Sequence, residues 1–181
     1  MPRDLLIVLW LSLLAQAFGL AWVSTDSVYV QGALVIKGAP VRPGELAVFL
    51  YQGDTVPEYY PAPSGALPGW LGALMGHADD DARAGPKKGT GFVKILWGVP
   101  GDRIEIAGNE VFLTNHAGRW SMGKVKPRAK SGAALSPIAP QVIPPGYVYM
   151  WAPHRDALDS RYSLMGLVPV SSIAGRAVKL W

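Results

Sequence analysis

The chain of 181 residues contains no cysteine, so neither a disulfide framework, a thiolate nucleophile nor a cysteine-ligated metal enters its chemistry. Histidine is scarce as well. His77, His116 and His154 are spaced too widely for a compact metal motif. Charged residues make up only 17%, and despite the net charge of +4 there is no basic helix or Lys/Arg run, which argues against a nucleic-acid partner. The modest cluster Lys124, Lys126, Arg128 and Lys130 is expected to be a solvated loop, with anionic lipid head groups as a fitting contact. No segment of the chain shows a strong amphipathic helical period. Instead, 21 glycines and 16 prolines break it into short pieces, a composition that leans towards β structure.

What the chain does have is one long apolar run. Residues 5–23 (LLIVLWLSLLAQAFGLAWV) carry no charge and no polar face. As a helix, about 19 residues span roughly 28 Å, close to the hydrocarbon thickness of a bilayer, and Trp22 falls at its end, where interfacial tryptophan is favoured. A cleaved secretory signal is the competing reading, because Arg3 precedes the run and Ala15-Gln16-Ala17 is a small-x-small sequence. The run continues past Ala17 to Val23, longer than a usual signal core, which favours a retained anchor. The expected organisation is an anchor over residues 1–23 and an exported domain over residues 24–181.

Within that domain, residues 27–36 (SVYVQGALVI) and 46–51 (LAVFLY) read as strands separated by a Pro/Gly turn. Residues 91–99 give another apolar strand, and residues 103–106 and 110–114 form a hairpin about Gly108-Asn109. Residues 147–151 and 174–181 close the series, so the domain is expected to be mainly β. Residues 53–89 read differently, as a Pro/Gly-rich insertion. Its Asp79, Asp80 and Asp81 lack the spaced oxygen ligands of a calcium loop, and residues 68–75 form a short apolar segment suited to a membrane or a partner.

Lys94 is the unusual residue of the strands, flanked by Phe92, Val93, Ile95, Leu96 and Trp97. A charged lysine in an apolar strand is costly. Its pKa should fall, and the neutral amine can then act as a general base; the bland alternative is an edge lysine extending its ammonium into water.

The surroundings of Lys94 are similar to the lysine segment of type I signal peptidases, with Gly98, Pro100, Gly101 and Asp102 following at that family's spacing. The segment with Asp159, Ser160, Arg161 and Tyr162, then Gly166 and Val168, resembles the family's Asp-Ser-Arg region and closing strand. RPGELAVF resembles the strand after the nucleophile, with Glu45 where aspartate is commoner. These segments stand in the family's order, and the closing GRAVKLW is most like the conjugative-transfer branch, the TraF-type pilin-processing peptidases.

The resemblance implies a signal-peptidase-like β-barrel or sandwich behind one transmembrane helix, in the bacterial inner membrane with its catalytic domain in the periplasm. It implies a serine endopeptidase without cofactor or metal that removes leader peptides from exported precursors, a pilin among them, and in some relatives cyclises the product. The serine belongs just after the anchor. Thr25-Asp26-Ser27 fits the family's arrangement, so Ser27 is the expected nucleophile and Ser24 the reserve. Lys94 is the expected base, and the Ser27 N–H with the Thr25 hydroxyl would hold the oxyanion. Asp159, Ser160 and Arg161 are expected to support the site.

Two departures stand out: no proline follows Ser27 closely, and Ala157 occupies a position where many relatives carry a lysine-binding serine. They favour the rival reading, a catalytically impaired anchored subunit of a pilus or secretion assembly. A tethered nucleic-acid-binding module is the more distant alternative.

Overall fold

A computed structural model of the chain describes residues 14–23, 26–53, 91–129, 132 and 134–181. The described residues are mainly β, with every strand pairing antiparallel.

The strands are β1 (Phe18–Trp22), β2 (Gly32–Lys37), β3 (Leu46–Leu50), β4 (Gly91–Gly98), β5 (Arg103–Ala107), β6 (Glu110–Asn115), β7 (Gly118–Lys124), β8 (Gln141–Val142), β9 (Tyr147–Trp151), β10 (Val168–Pro169) and β11 (Ile173–Lys179). They make a seven-stranded sheet in the order β1-β2-β11-β3-β4-β9-β10 and a four-stranded sheet in the order β7-β6-β5-β8. The main core includes Phe49, Leu96, Ile104, Leu113, Tyr149 and Tyr162, drawn from both sheets. A smaller one gathers Val28, Val30, Ala33, Val93, Ala152 and Ala157.

Local chemistry explains the elements that lead to the site. β4 is rich in β-branched and aromatic residues, which suit a pleated and partly buried surface. At its end, register with β9 shifts between Leu96 and Gly98. A Cβ on Gly98 would lie 2.8 Å from both Ile143 and Tyr149, so the close packing there requires glycine. The chain then reverses through Val99–Asp102, where the Asp102 carboxylate accepts the Val99 N–H (3.0 Å). Gly101 takes a φ of 97°, a conformation open to glycine without strain. β5 and β6 form the hairpin expected about Gly108-Asn109, with Ala107 opposite Glu110.

Several expectations are corrected. Residues 18–22 of the apolar run are not helical but form β1, with Phe18 opposite Ile36 and Trp22 opposite Gly32. Uninterrupted apolarity does not distinguish helix from strand, and the unpaired edge of β2 offers a ladder that captures the segment. Residues 14–17 are helical, and the Lys37 ammonium donates to the Ala15 carbonyl (2.8 Å). Among the described residues no helix is long and apolar enough to cross a membrane, and residues 1–13 lie outside them.

The expected strand at residues 27–36 begins only at Gly32. Ahead of it come a 3-10 turn, Asp26–Val28, and Tyr29 in the left-handed region with φ 52°, so the extended run is interrupted.

Residues 118–124, not anticipated as a strand, form β7. The basic cluster is only partly a solvated loop: Lys124 closes β7 and Lys126 pairs with Asp156. The insertion lies almost wholly outside the described residues, with Asp79–81 and the apolar segment 68–75.

One close approach yields a stability prediction. A Cβ at Gly175 of β11 would stand 2.2 Å from the Ile36 carbonyl oxygen of the adjacent strand. Backbone cannot yield as a flexible side chain does, so Gly175→Ala is expected to destabilise the domain by about 2 kcal/mol or more, at the upper end of overpacking costs. Urea denaturation measures this. An unchanged midpoint would show that the β2–β11 contact is looser than described.

Candidate active site

Few polar side chains are buried among the described residues, and most belong to one region: Ser27, Lys94, Asp159, Ser160 and Arg161. Such burial is costly unless each group is paired, and here each one is.

Lys94 sits on β4 opposite Ala47 of β3 and is only 2% exposed. Its Nζ donates to Ser27 Oγ at 2.9 Å. Burial pushes the Lys94 pKa down to about 8; Asp159 opposes that shift and Arg161 adds to it. The edge-lysine alternative, with an ammonium reaching water, is therefore excluded. Ser27 is itself buried, in the 3-10 turn that follows β1.

Asp159 and Arg161 form a forked ion pair. Arg161 Nε donates to one carboxylate oxygen and Nη2 to the other, each at 2.8 Å. Asp159 also accepts the Ala152 and Arg161 backbone N–H groups. Arg161 Nη2 reaches the carbonyls of Ala152 (3.3 Å), His154 (3.1 Å) and Ala157 (3.5 Å). The guanidinium thus gathers the loop after β9. That loop in turn holds the serine, because the His154 N–H donates to the Ser27 carbonyl at 3.3 Å. Ser160 clasps the same strand from behind: its Oγ accepts the Met150 N–H (3.0 Å), and its own N–H donates to the Met150 carbonyl.

Residues 6–181 match the family described as signal peptidase, peptidase S26. The chain belongs to that family. Among curated proteins it is similar to the conjugal transfer protein TraF of Agrobacterium fabrum (strain C58), with 29% identity over 114 residues. The alignment covers 63% of this chain and 52% of that protein, so the chain spans about half the length of the relative it matches. The signal peptidase family is one of serine peptidases, and the resemblance drawn from the Lys94 and Asp159 segments agrees with the match.

The structure brings together Ser27, Lys94, Asp159, Ser160 and Arg161. Ser24 and Thr25 lie outside the described residues. Ala157 is buried in the small apolar cluster with Val93 and Ala152. Glu45, the departure from aspartate, accepts the Arg42 N–H and pairs with Arg176 across β3 and β11, a structural clasp.

Sequence reasoning missed His154 and Tyr29. His154 entered only as one of three histidines whose spacing suits no metal motif. It instead supports Ser27 through its backbone, while its ring meets Tyr29 edge-on with centroids 6.1 Å apart. A backbone N–H is carried by almost every residue, so no sequence signal marks that role.

Proposed function

We propose that this chain is a serine endopeptidase that cleaves leader peptides from exported precursor proteins, with Ser27 as nucleophile and Lys94 as general base. The observation that carries the reading is the 2.9 Å contact between Lys94 Nζ and Ser27 Oγ. It pairs an amine whose pKa is about 8 with a hydroxyl that needs a base to become nucleophilic.

While the amine is protonated it donates to the serine. Once neutral, it accepts the Ser27 proton across the same contact. The Ser27 oxygen then attacks the scissile carbonyl, and the Ser27 N–H with the Thr25 hydroxyl stabilises the tetrahedral oxyanion. On collapse, the Lys94 ammonium returns the proton to the leaving amine. Water, activated by the same amine, hydrolyses the acyl-enzyme. Asp159 and Arg161 take no proton; they hold the His154 segment and hence Ser27.

Exported precursors, a conjugative pilin among them, are the substrates best in keeping with the family and with the TraF relative. Release of either a linear or a cyclised product follows from which nucleophile meets the acyl-enzyme. The bacterial inner membrane, with the β domain facing the periplasm, is the location in keeping with that family; with residues 18–22 taken into β1, residues 5–17 as a helix would reach only about 20 Å, short of the hydrocarbon core. Trapping a covalent acyl-Ser27 species by mass spectrometry during turnover of a pilin precursor tests the reading directly.

Because the neutral amine is the active form, kcat/KM is expected to rise about tenfold per pH unit below roughly pH 8 and to level off above it. A pH–rate profile that is flat from pH 6 to pH 9 would rule out Lys94 as the base.

The alternative, a catalytically impaired assembly subunit, is favoured by the methyl group of Ala157 in place of a hydroxyl. Complete absence of precursor cleavage by the wild-type chain would select it.

A further inference from the structure

A cleft of about 380 Å³ opens between the end of β7 and the loop after β9, lined among others by Met122, Lys124, Lys126, Trp151, Arg155 and Arg161. Its floor is fixed, since Met122 is buried and the Trp151 indole donates to the Met122 carbonyl at 2.7 Å. The walls are basic. Asp159 neutralises Arg161, while Asp156 is shared between Lys126 and, at 3.9 Å, Arg155, so with Lys124 the cations of the rim outnumber the carboxylate they share. Lys124 and Arg155 are exposed at the mouth.

The cleft shares residues with the support of the Ser27–Lys94 pair. Arg161 is common to both, lining the cleft and contributing to the field at Lys94. Pro153 and Arg155 of its wall flank His154, whose N–H holds the Ser27 carbonyl.

We propose that this cleft is a specificity subsite that takes an acidic side chain of the substrate polypeptide within a few residues of the scissile bond. The proposal rests on the peptidase reading, which places a polypeptide across Ser27. An apolar floor under a cationic rim suits a Glu or Asp side chain, whose short stem packs on Trp151 while its carboxylate meets Lys124 and Arg155. A peptide is favoured over a lipid head group because Arg161 and the residues on either side of His154 belong both to the cleft wall and to the support of Ser27.

The test uses fluorogenic peptides with a small-residue cleavage point and one Glu, Gln or Lys scanned around it, with the wild-type chain and the Lys124→Glu/Arg155→Glu double variant. Wild type is expected to favour the best Glu peptide over its Gln counterpart by roughly tenfold in kcat/KM at low salt, a preference that fades as salt screens the charges. The double variant is expected to reverse the order and favour Lys. A Glu-to-Gln ratio that is the same in both proteins overturns the subsite and leaves the peptidase reading standing. If wild type cleaves no peptide, the peptidase reading fails. Anisotropy of a labelled Glu peptide, with binding lost in the double variant and in high salt, would then still support an acid-binding cleft. Discrimination between the two proteins by phosphatidylglycerol vesicles but not by peptides overturns the proposal in favour of a lipid occupant.

Discussion

Replacing Lys94 by methionine is expected to abolish precursor cleavage, by roughly 10⁴-fold or more in kcat, and at the same time to make the protein more stable. Loss of activity follows if the Lys94 amine takes the Ser27 proton, since methionine keeps the length and the apolar stem but has no base. The gain in stability follows from linkage. In the unfolded chain the amine holds its proton up to its ordinary value of 10.5, whereas in the fold it loses it near 8. Below pH 8 the folded state therefore carries the full penalty of a buried ammonium, and it regains stability as pH climbs from about 8 to 10.5.

A depression of that size corresponds to about 3 kcal/mol at neutral pH. Lys94→Met should recover a part of this as a higher denaturation midpoint at pH 7, with the gain vanishing above pH 10. Ser27→Ala should be equally inactive without the stability gain. An active Lys94→Met variant would end the serine–lysine mechanism. Loss of activity in Ser24→Ala, with Ser27→Ala still active, would move the nucleophile to Ser24.

Breaking the Asp159–Arg161 pair is expected to cost about 3–5 kcal/mol from either side, because each single replacement leaves the other charge buried alone. Asp159 is 0% and Arg161 3% exposed, so water cannot compensate. Arg161→Lys should recover little, since an ammonium cannot fork onto both carboxylate oxygens and still reach the loop carbonyls.

The pair also has a readout that pure scaffolding lacks. Asp159 raises the Lys94 pKa and Arg161 lowers it. Asp159→Asn should therefore move the pH–rate profile to lower pH, and Arg161→Met should move it to higher pH, in whatever fraction remains folded. Urea denaturation and pH–rate profiles measure the two effects. Shifts of the same sign in both variants would show that the pair acts on the site only through the fold.

Much of the β framework was legible because its signal is local. β3, β4 and β9 carry runs of apolar, β-branched and aromatic residues bounded by turn formers, and Gly108-Asn109 marks its hairpin without reference to the rest of the chain. β1 and β7 were not legible. Residues 18–22 sit within a longer apolar run whose periodicity is compatible with a helix, and only the free edge of β2 decides for a strand. β7 (GRWSMGK) has too few apolar residues to alternate visibly; pairing with β6 along its whole length makes it a strand. Tyr29 in the left-handed region similarly breaks a segment that reads as extended.

The amino-acid sequence by itself determined a mainly β chain of the signal peptidase family with a lysine in an apolar strand, open between a buried base and an edge position until its burial was seen. Strand propensity, turn chemistry and the apolar neighbours of Lys94 act over a few residues, so they are written in order along the chain. The tertiary structure alone decided what Lys94 faces. Ser27 lies 67 residues away along the chain, and the pair meets because the turn after β1 is held beside β4 while Arg161 draws the His154 segment onto the Ser27 carbonyl. The basic cleft arises in the same way, from Lys124 at the end of β7 and Arg155 after β9. Register and burial set such meetings, and neither is a property of any one stretch of sequence.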